Sequence, residues 1–180
     1  RPDTTIEALS KLKTIYGSPT VTAGNAPGLD AGATAVIIMR RSRAEALGVK
    51  PLATIVSVAS GASEPRRMAE LPGFVIQKAL QRAPLSIDDM KVIEINEAFA
   101  AVTLVSTKIL ADRDEQKWRS LLERTNPNGG AIAIGHPVGA SGGRILMNMM
   151  YELKRRGGGY GVCGICGGLA QGDAVLIRVD

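Results

Sequence analysis

The sequence predicts an α/β fold: a mixed sheet with helices on its faces, finished by an antiparallel C-terminal strand pair. Three observations predict it. Short apolar runs rich in β-branched residues alternate with segments of helical period, the order that crossover connections produce. The last two strand-like runs are separated only by a glycine-rich turn, which makes them antiparallel neighbours. The chain has 180 residues, 45% of them hydrophobic; that suits about one domain, which can bury roughly 70% of the surface its unfolded chain exposes.

The elements follow in order. Residues before Gly32 show few periodic features, so the reading divides into a leading segment, residues 1–31, and an α/β domain, residues 32–180. Ala33 to Met39 reads as a strand buried on both faces. Ser42 with Glu45 makes a capping-box pattern for a short helix that Gly48 stops. Ala53 to Ala59 reads as the second strand. Pro72 suits the first turn of a helix running to about Gln81, because its missing N–H has no partner there. Val92 to Ile95 is the next strand, and a long helix is expected from Asn96 to Leu110, with Glu97 complementing its positive end. Asp112 to Asn128 reads as a polar connection with one helical turn around Trp118. Beyond the loop Gly135 to Gly143, the stripe Ile145, Leu146, Met149, Met150 and Leu153 marks another helix, with Lys154, Arg155 and Arg156 at its carbonyl end. Tyr160 to Cys166 and Ala174 to Val179 are the closing pair.

Composition excludes several classes. Lys and Arg number 22 against 17 Asp and Glu, a net charge of +5. The basic residues are nevertheless scattered and aromatics are 3% of the chain, so the stacking platforms of a nucleic-acid binder are lacking. The longest strictly apolar runs, Ala35 to Met39 and Ala98 to Val102, fall far short of the ~18 residues of a membrane span. Two cysteines without an export signal fit free thiols in a reducing compartment, the cytoplasm by default. The opening Arg1-Pro2-Asp3 has neither a signal-peptide pattern nor an initiating Met, and reads as a start in mid-protein.

Four features suit the carboxyl ends of strands, where α/β sites gather: Asn96 at a strand-to-helix junction, His136 in a glycine-rich loop, Cys166 at a strand end, and the glycines after it, including Gly168. A lone histidine is more often a packing or surface residue. Here Gly135 and Pro137 flank it in a loop and leave room for another group to approach the ring, which favours imidazole acid/base chemistry. Cys163-x-x-Cys166 does not read as a redox or zinc motif, because three residues apart on a strand the side chains point to opposite faces and no second ligand pair exists. No metal ligands are assigned. Gly159-Tyr160-Gly161-Val162-Cys163-Gly164 matches the dinucleotide pattern G-x-G-x-x-G, but a helix precedes it and a strand follows, the reverse of the order that brings phosphate to a helix amino end.

Three segments in this order, Asn96-Glu97-Ala98-Phe99-Ala100, Asn128 to Gly142 around Gly135-His136-Pro137, and Cys166-Gly167-Gly168-Leu169-Ala170-Gln171-Gly172, resemble the C-terminal half of a thiolase, an acetyl-CoA acetyltransferase or 3-ketoacyl-CoA thiolase. Thr20 to Gly28 also resembles the segment by which the family enters its C-terminal domain. The resemblance covers essentially the whole chain. It implies a thiolase-like C-terminal α/β domain and an acyltransferase whose substrate is a coenzyme A thioester, acetyl-CoA or another acyl-CoA, with no tightly bound cofactor. It implies that His136 activates a nucleophilic cysteine lying outside this chain, in an N-terminal half or a partner chain, and donates to the oxygen of the acetyl-CoA enolate. Asn96 would hold the water that is the second donor there; one such donor is typically worth ~3 to 4 kcal/mol of barrier. Cys166 would be the acid/base at the α-carbon, with an adjacent imidazole lowering its pKa. The Gly168 N–H would serve a second oxyanion hole, and Phe99, Met68, Ala98 and Pro27 would line the acyl and pantetheine region. The family further implies a homo-oligomer when complete, and a chain inactive in isolation. Pro27 stands where many biosynthetic members have Ser, Ala69 where Gly is usual, and Leu169-Ala170 where glycines are usual, which bears on chain length and cofactor pose. The rival reading is a non-catalytic subunit or fragment that completes a thiolase-like assembly.

Overall fold

The computed structural model describes residues 1–180. In chain order the regular elements are α1 (Ile6–Ser10), α2 (Arg41–Ala46), β1 (Thr54–Ala62), α3 (Leu71–Arg82), β2 (Met90–Ile95), α4 (Ala100–Leu110), α5 (Glu115–Glu123), α6 (Ala131–Ile134), α7 (Ser141–Arg155), β3 (Gly159–Gly167) and β4 (Gln171–Val179). The strands form one sheet in the order β1-β4-β3-β2. β1 with β4 and β4 with β3 are antiparallel, and β3 with β2 is parallel. The mixed sheet and its antiparallel C-terminal pair are as the sequence predicts.

Helix α3, backed by α4, covers one face of the sheet and α7 covers the other. Alternation along the strands feeds both layers: Val162 and Leu176 join the core under α3, while Cys163 and Ile177 join the core under α7. The same alternation explains the glycines of the dinucleotide-like pattern. A Cβ on Gly161 would meet Leu153 and Met149 of α7 at 2.9 Å, and one on Gly164 would meet Ile76 of α3 at 2.9 Å. These glycines let two helices approach β3 from opposite sides, a packing requirement rather than a phosphate site.

Four local expectations are corrected. Ala33 to Met39 forms no strand: it runs outside the sheet, and Val36, Ile37, Ile38 and Met39 are exposed, Ile37 at 90%. β-branched residues express strand preference only against a surface that pairs with and packs on them, and no strand of this sheet pairs with this run. The Ser42–Glu45 capping box does not form; Arg40 is the N-cap of α2 and makes no side-chain cap, although Gly48, at φ +65°, does take the left-handed stop. The helix expected from Asn96 begins at Ala100, with Phe99 as extended N-cap, because Asn96 to Phe99 form the connector that carries the site. The polar connection contains a full helix, α5, capped by the Asp114 carboxylate, which accepts from Lys117 N at 2.6 Å. Trp118 on α5 donates its indole N–H to Thr107 Oγ1 at 2.9 Å and so docks α5 on α4.

Beyond β2 the sheet edge is continued by residues 124–126. Ile93 N donates to Arg124 O at 3.0 Å and Asn126 N to Ile93 O at 2.9 Å. The Asn126 side chain closes the same edge, its Oδ1 accepting from Ile95 N at 2.8 Å and its Nδ2 donating to Ile95 O at 2.9 Å. The end of β2, from which Asn96 projects, is thereby held on both sides.

Candidate active site

Asn96 leaves the carboxyl end of β2 and is 1% exposed. Its N–H donates to Gly164 O at 3.1 Å, which extends the β2–β3 ladder and sets Asn96 at the same end of the sheet as Cys166, two residues beyond Gly164. The loop carrying His136 meets it there: Asn96 Nδ2 lies 3.4 Å from His136 Nε2. The other ring nitrogen, Nδ1, lies 2.7 Å from Ser141 Oγ. Burial pushes the imidazole below its ordinary pKa, and the nearby Arg144 guanidinium adds to the effect.

Three chain segments hold this pair. His136 N donates to Gly28 O at 2.9 Å, so the leading segment runs beside the histidine loop and Pro27 stands next to it. Asn25 O accepts from Ala100 N at 2.9 Å, satisfying a first-turn donor of α4. Glu97 does not serve α4, as its position suggests. Its Oε2 instead accepts from Ile132 N at 2.9 Å, at the amino end of α6, and its Oε1 accepts from Asn126 Nδ2 at 3.4 Å. Gly130 is packed against that carboxylate so tightly that a Cβ there would meet Glu97 Cδ at 2.4 Å.

The other expected residues gather nearby. Met68, Ala98, Phe99 and Cys166 are all half-buried against the core shared by α3 and the sheet. Burial raises the Cys166 thiol, with its own backbone N–H the opposing influence. No hydrogen bond joins it to His136, and the shift is upward, from desolvation, rather than the lowering by an imidazole that was expected. Cys163 is buried in the opposite layer, its thiol pushed up to about 12 by burial. Gly168 is exposed in the β3–β4 turn and a Cβ there would meet nothing within 4 Å. The two residues after it, Leu169 at φ +59° and Ala170 at φ +54°, hold left-handed backbone that glycine adopts more readily.

Sequence reasoning did not find Ser141 and Arg144. Arg144 donates from Nη1 to Gly135 O at 2.6 Å and from Nη2 to Asn96 Oδ1 at 3.5 Å. Ser141 is buried on α7 one turn before Ile145 and Arg144 is half-buried directly beside it, and that was the available signal: polar residues continuing an apolar stripe toward a histidine loop. Glu94, buried at the end of β2, was also missed; burial raises its carboxyl to about 8.

Family comparison decides which fold this end of the sheet belongs to. The model described as "Thiolase, C-terminal domain" matches residues 49–179, and "Thiolase, N-terminal domain" matches residues 1–42. The chain belongs to the thiolase family. The exposed run Val36 to Met39 thus falls within the part matching the N-terminal domain. The thiolase chain is 43% identical over 175 residues to an acetyl-CoA acetyltransferase of Syntrophomonas wolfei, covering 97% of this chain and 43% of that protein. It is 44% identical over 179 residues to a beta-ketoadipyl-CoA thiolase of Pseudomonas knackmussii, covering 99% and 43%. Among solved structures it resembles the acetyl-CoA acetyltransferase of Bacillus anthracis, with TM-score 0.89, 38% identity and coverage of 100% and 44%. Human mitochondrial 3-ketoacyl-CoA thiolase in complex with CoA gives TM-score 0.88, 41% identity and coverage of 100% and 44%. The chain therefore spans less than half the length of the thiolases it matches.

Proposed function

We propose that this chain supplies the acid/base half of a thiolase active site, for Claisen condensation of acyl-CoA thioesters or thiolytic cleavage of a 3-ketoacyl-CoA. The observation that carries the reading is the Asn96–His136 pair standing at the same end of the sheet as Cys166. In this reading the nucleophilic cysteine belongs to a part of the complete protein outside these 180 residues, so the chain alone does not start covalent catalysis.

His136, kept neutral by its surroundings, takes the proton of that nucleophile at a ring nitrogen as the cysteine attacks the thioester carbonyl. It then donates to the oxygen of the acetyl-CoA enolate, with a water on Asn96 as second donor. Cys166, resting as a thiol, returns a proton to the α-carbon in cleavage and removes it in synthesis. The exposed Gly168 N–H serves the tetrahedral intermediate. Met68, Ala98, Phe99 and Pro27 border the acyl and pantetheine arm, with coenzyme A thioester as substrate and no tightly held cofactor. The complete protein is a homo-oligomer in a reducing compartment, the cytoplasm, in keeping with two free thiols. No helix is long and apolar enough to cross a membrane.

The test is thiolysis of a 3-ketoacyl-CoA by the complete protein with His136→Ala or Cys166→Ala. Loss of an acid/base group should lower kcat at least about 100-fold. Ordinary turnover by the double variant would remove the reading.

A further inference from the structure

The direction of hydrogen bonding through the Asn96–His136 pair is set at its two ends. A guanidinium only donates, so Arg144 Nη2, 3.5 Å from Asn96 Oδ1, fixes which end of that amide is oxygen. The amide nitrogen then faces His136 Nε2 at 3.4 Å and donates to it, so Nε2 carries no proton. The single proton of the neutral ring sits on Nδ1 and goes to Ser141 Oγ at 2.7 Å. The Ser141 hydroxyl passes its own hydrogen to Pro137 O at 3.2 Å. From Arg144 to Pro137 each donor has one acceptor, and reversing any link would set two donors or two acceptors face to face.

We propose that Arg144 and Ser141 are positioning residues for the pair, holding His136 as the Nδ1–H tautomer with Nε2 bare; the catalytic meaning of that state rests on the thiolase reading. A proton enters at Nε2 when an acidic group displaces the long Asn96 contact. The resulting imidazolium keeps its Nδ1–H on Ser141, so nothing else rearranges, and the proton leaves again from Nε2. Arg144 also grips Gly135 O at 2.6 Å, so one guanidinium spans the loops that carry both members of the pair. Lysine has no planar fork to do this. Ser141 is 0% exposed, which keeps water from competing for its bonds to His136 and Pro137 O.

In the complete protein labelled with nitrogen-15 histidine, the His136 ring pattern is the one that disappears from a long-range proton–nitrogen correlation spectrum in His136→Gln. With the ring neutral, the proton should be on Nδ1. Ser141→Ala, which removes the Nδ1 acceptor while the Asn96 amide still faces Nε2, should let the Nε2 tautomer appear beside Nδ1–H, Ser141→Thr should keep the proton on Nδ1, and Arg144→Met, which frees the amide to turn, should let both tautomers appear. A wild-type ring protonated on Nε2 overturns the proposal, and that spectrum suffices even where a variant does not fold. An unchanged ring in Ser141→Ala overturns the role of Ser141, and one in Arg144→Met that of Arg144. In the complete protein, Ser141→Ala should lower kcat for a 3-ketoacyl-CoA roughly 10- to 100-fold with KM held, a typical cost of losing a supporting partner, and Ser141→Thr should recover most of it. Undiminished kcat overturns the catalytic meaning. An Nδ1–H ring in a complete protein that turns over no thioester removes the thiolase reading and leaves the positioning standing.

Discussion

Replacing Glu94 by glutamine should make the protein progressively more stable relative to the wild type as pH rises from 4.5 to about 9. Glu94 is 1% exposed, and its Oε1 has no hydrogen-bond partner. Burial is the main cause that raises its carboxyl from 4.5 to about 8, against the attraction of Arg144 and with help from Glu97 and Glu152. Below pH 4.5 the group is neutral folded and unfolded. Between 4.5 and about 8 only the unfolded chain ionises, so folding stability falls by 1.36 kcal/mol per pH unit, and above that range both states are ionised and the loss is complete. The loss amounts to about 5 kcal/mol, a large share of the ~5 to 15 kcal/mol typical of a domain. Glutamine ionises in neither state, so the difference between variant and wild type should start from a fixed offset at pH 4.5 and grow by about 5 kcal/mol by pH 9. Its two amide donors contribute only to the offset, which does not vary with pH. Urea unfolding of both proteins at several pH values measures the difference directly. A difference that stays flat from pH 4.5 to 9 would refute the reasoning.

Two further outcomes follow from backbone and close packing. Leu169→Gly should raise stability by roughly 1 kcal/mol, read as a higher Tm, because the residue holds φ +59° with a side chain 80% exposed and little burial to lose; a lower Tm would count against the strain. Gly130→Ala should cost about 1 to 3 kcal/mol in urea unfolding by driving a methyl into the Glu97 carboxylate and breaking its bond to Ile132 N; an unchanged midpoint would show that Glu97 relocates freely.

The parts of the fold legible in the sequence were those whose period matched their burial. Val92 to Ile95 and the β3–β4 pair read correctly because both faces of the sheet are covered, and α7 because Ile145, Met149 and Leu153 repeat at helical spacing beneath it. Ala33 to Met39 misread because an apolar run records preference but not the presence of a partner. The connector Asn96 to Phe99 misread because its composition continues that of α4, while its conformation answers to Gly164 O and to the Asn126 edge, contacts distant in sequence. Asn96 and His136 were found by residue type and loop context. Ser141, Arg144 and Glu94 were not, since each acts through a neighbour that only folding supplies.

The placement of β1 has a kinetic side. The β3–β4 ladder closes a short turn, whereas the β1–β4 ladder joins Thr54 to Arg178 across most of the chain. Closing so long a loop is entropically demanding, so β1 should dock after the β3–β4 pair has formed. Its departure exposes Ala59 and the edge of β4 but breaks none of the bonds around Asn96 and His136, which hang from β2, β3 and α7. The chain can therefore breathe at one margin of the sheet while the histidine at the other end of its architecture keeps its proton in place.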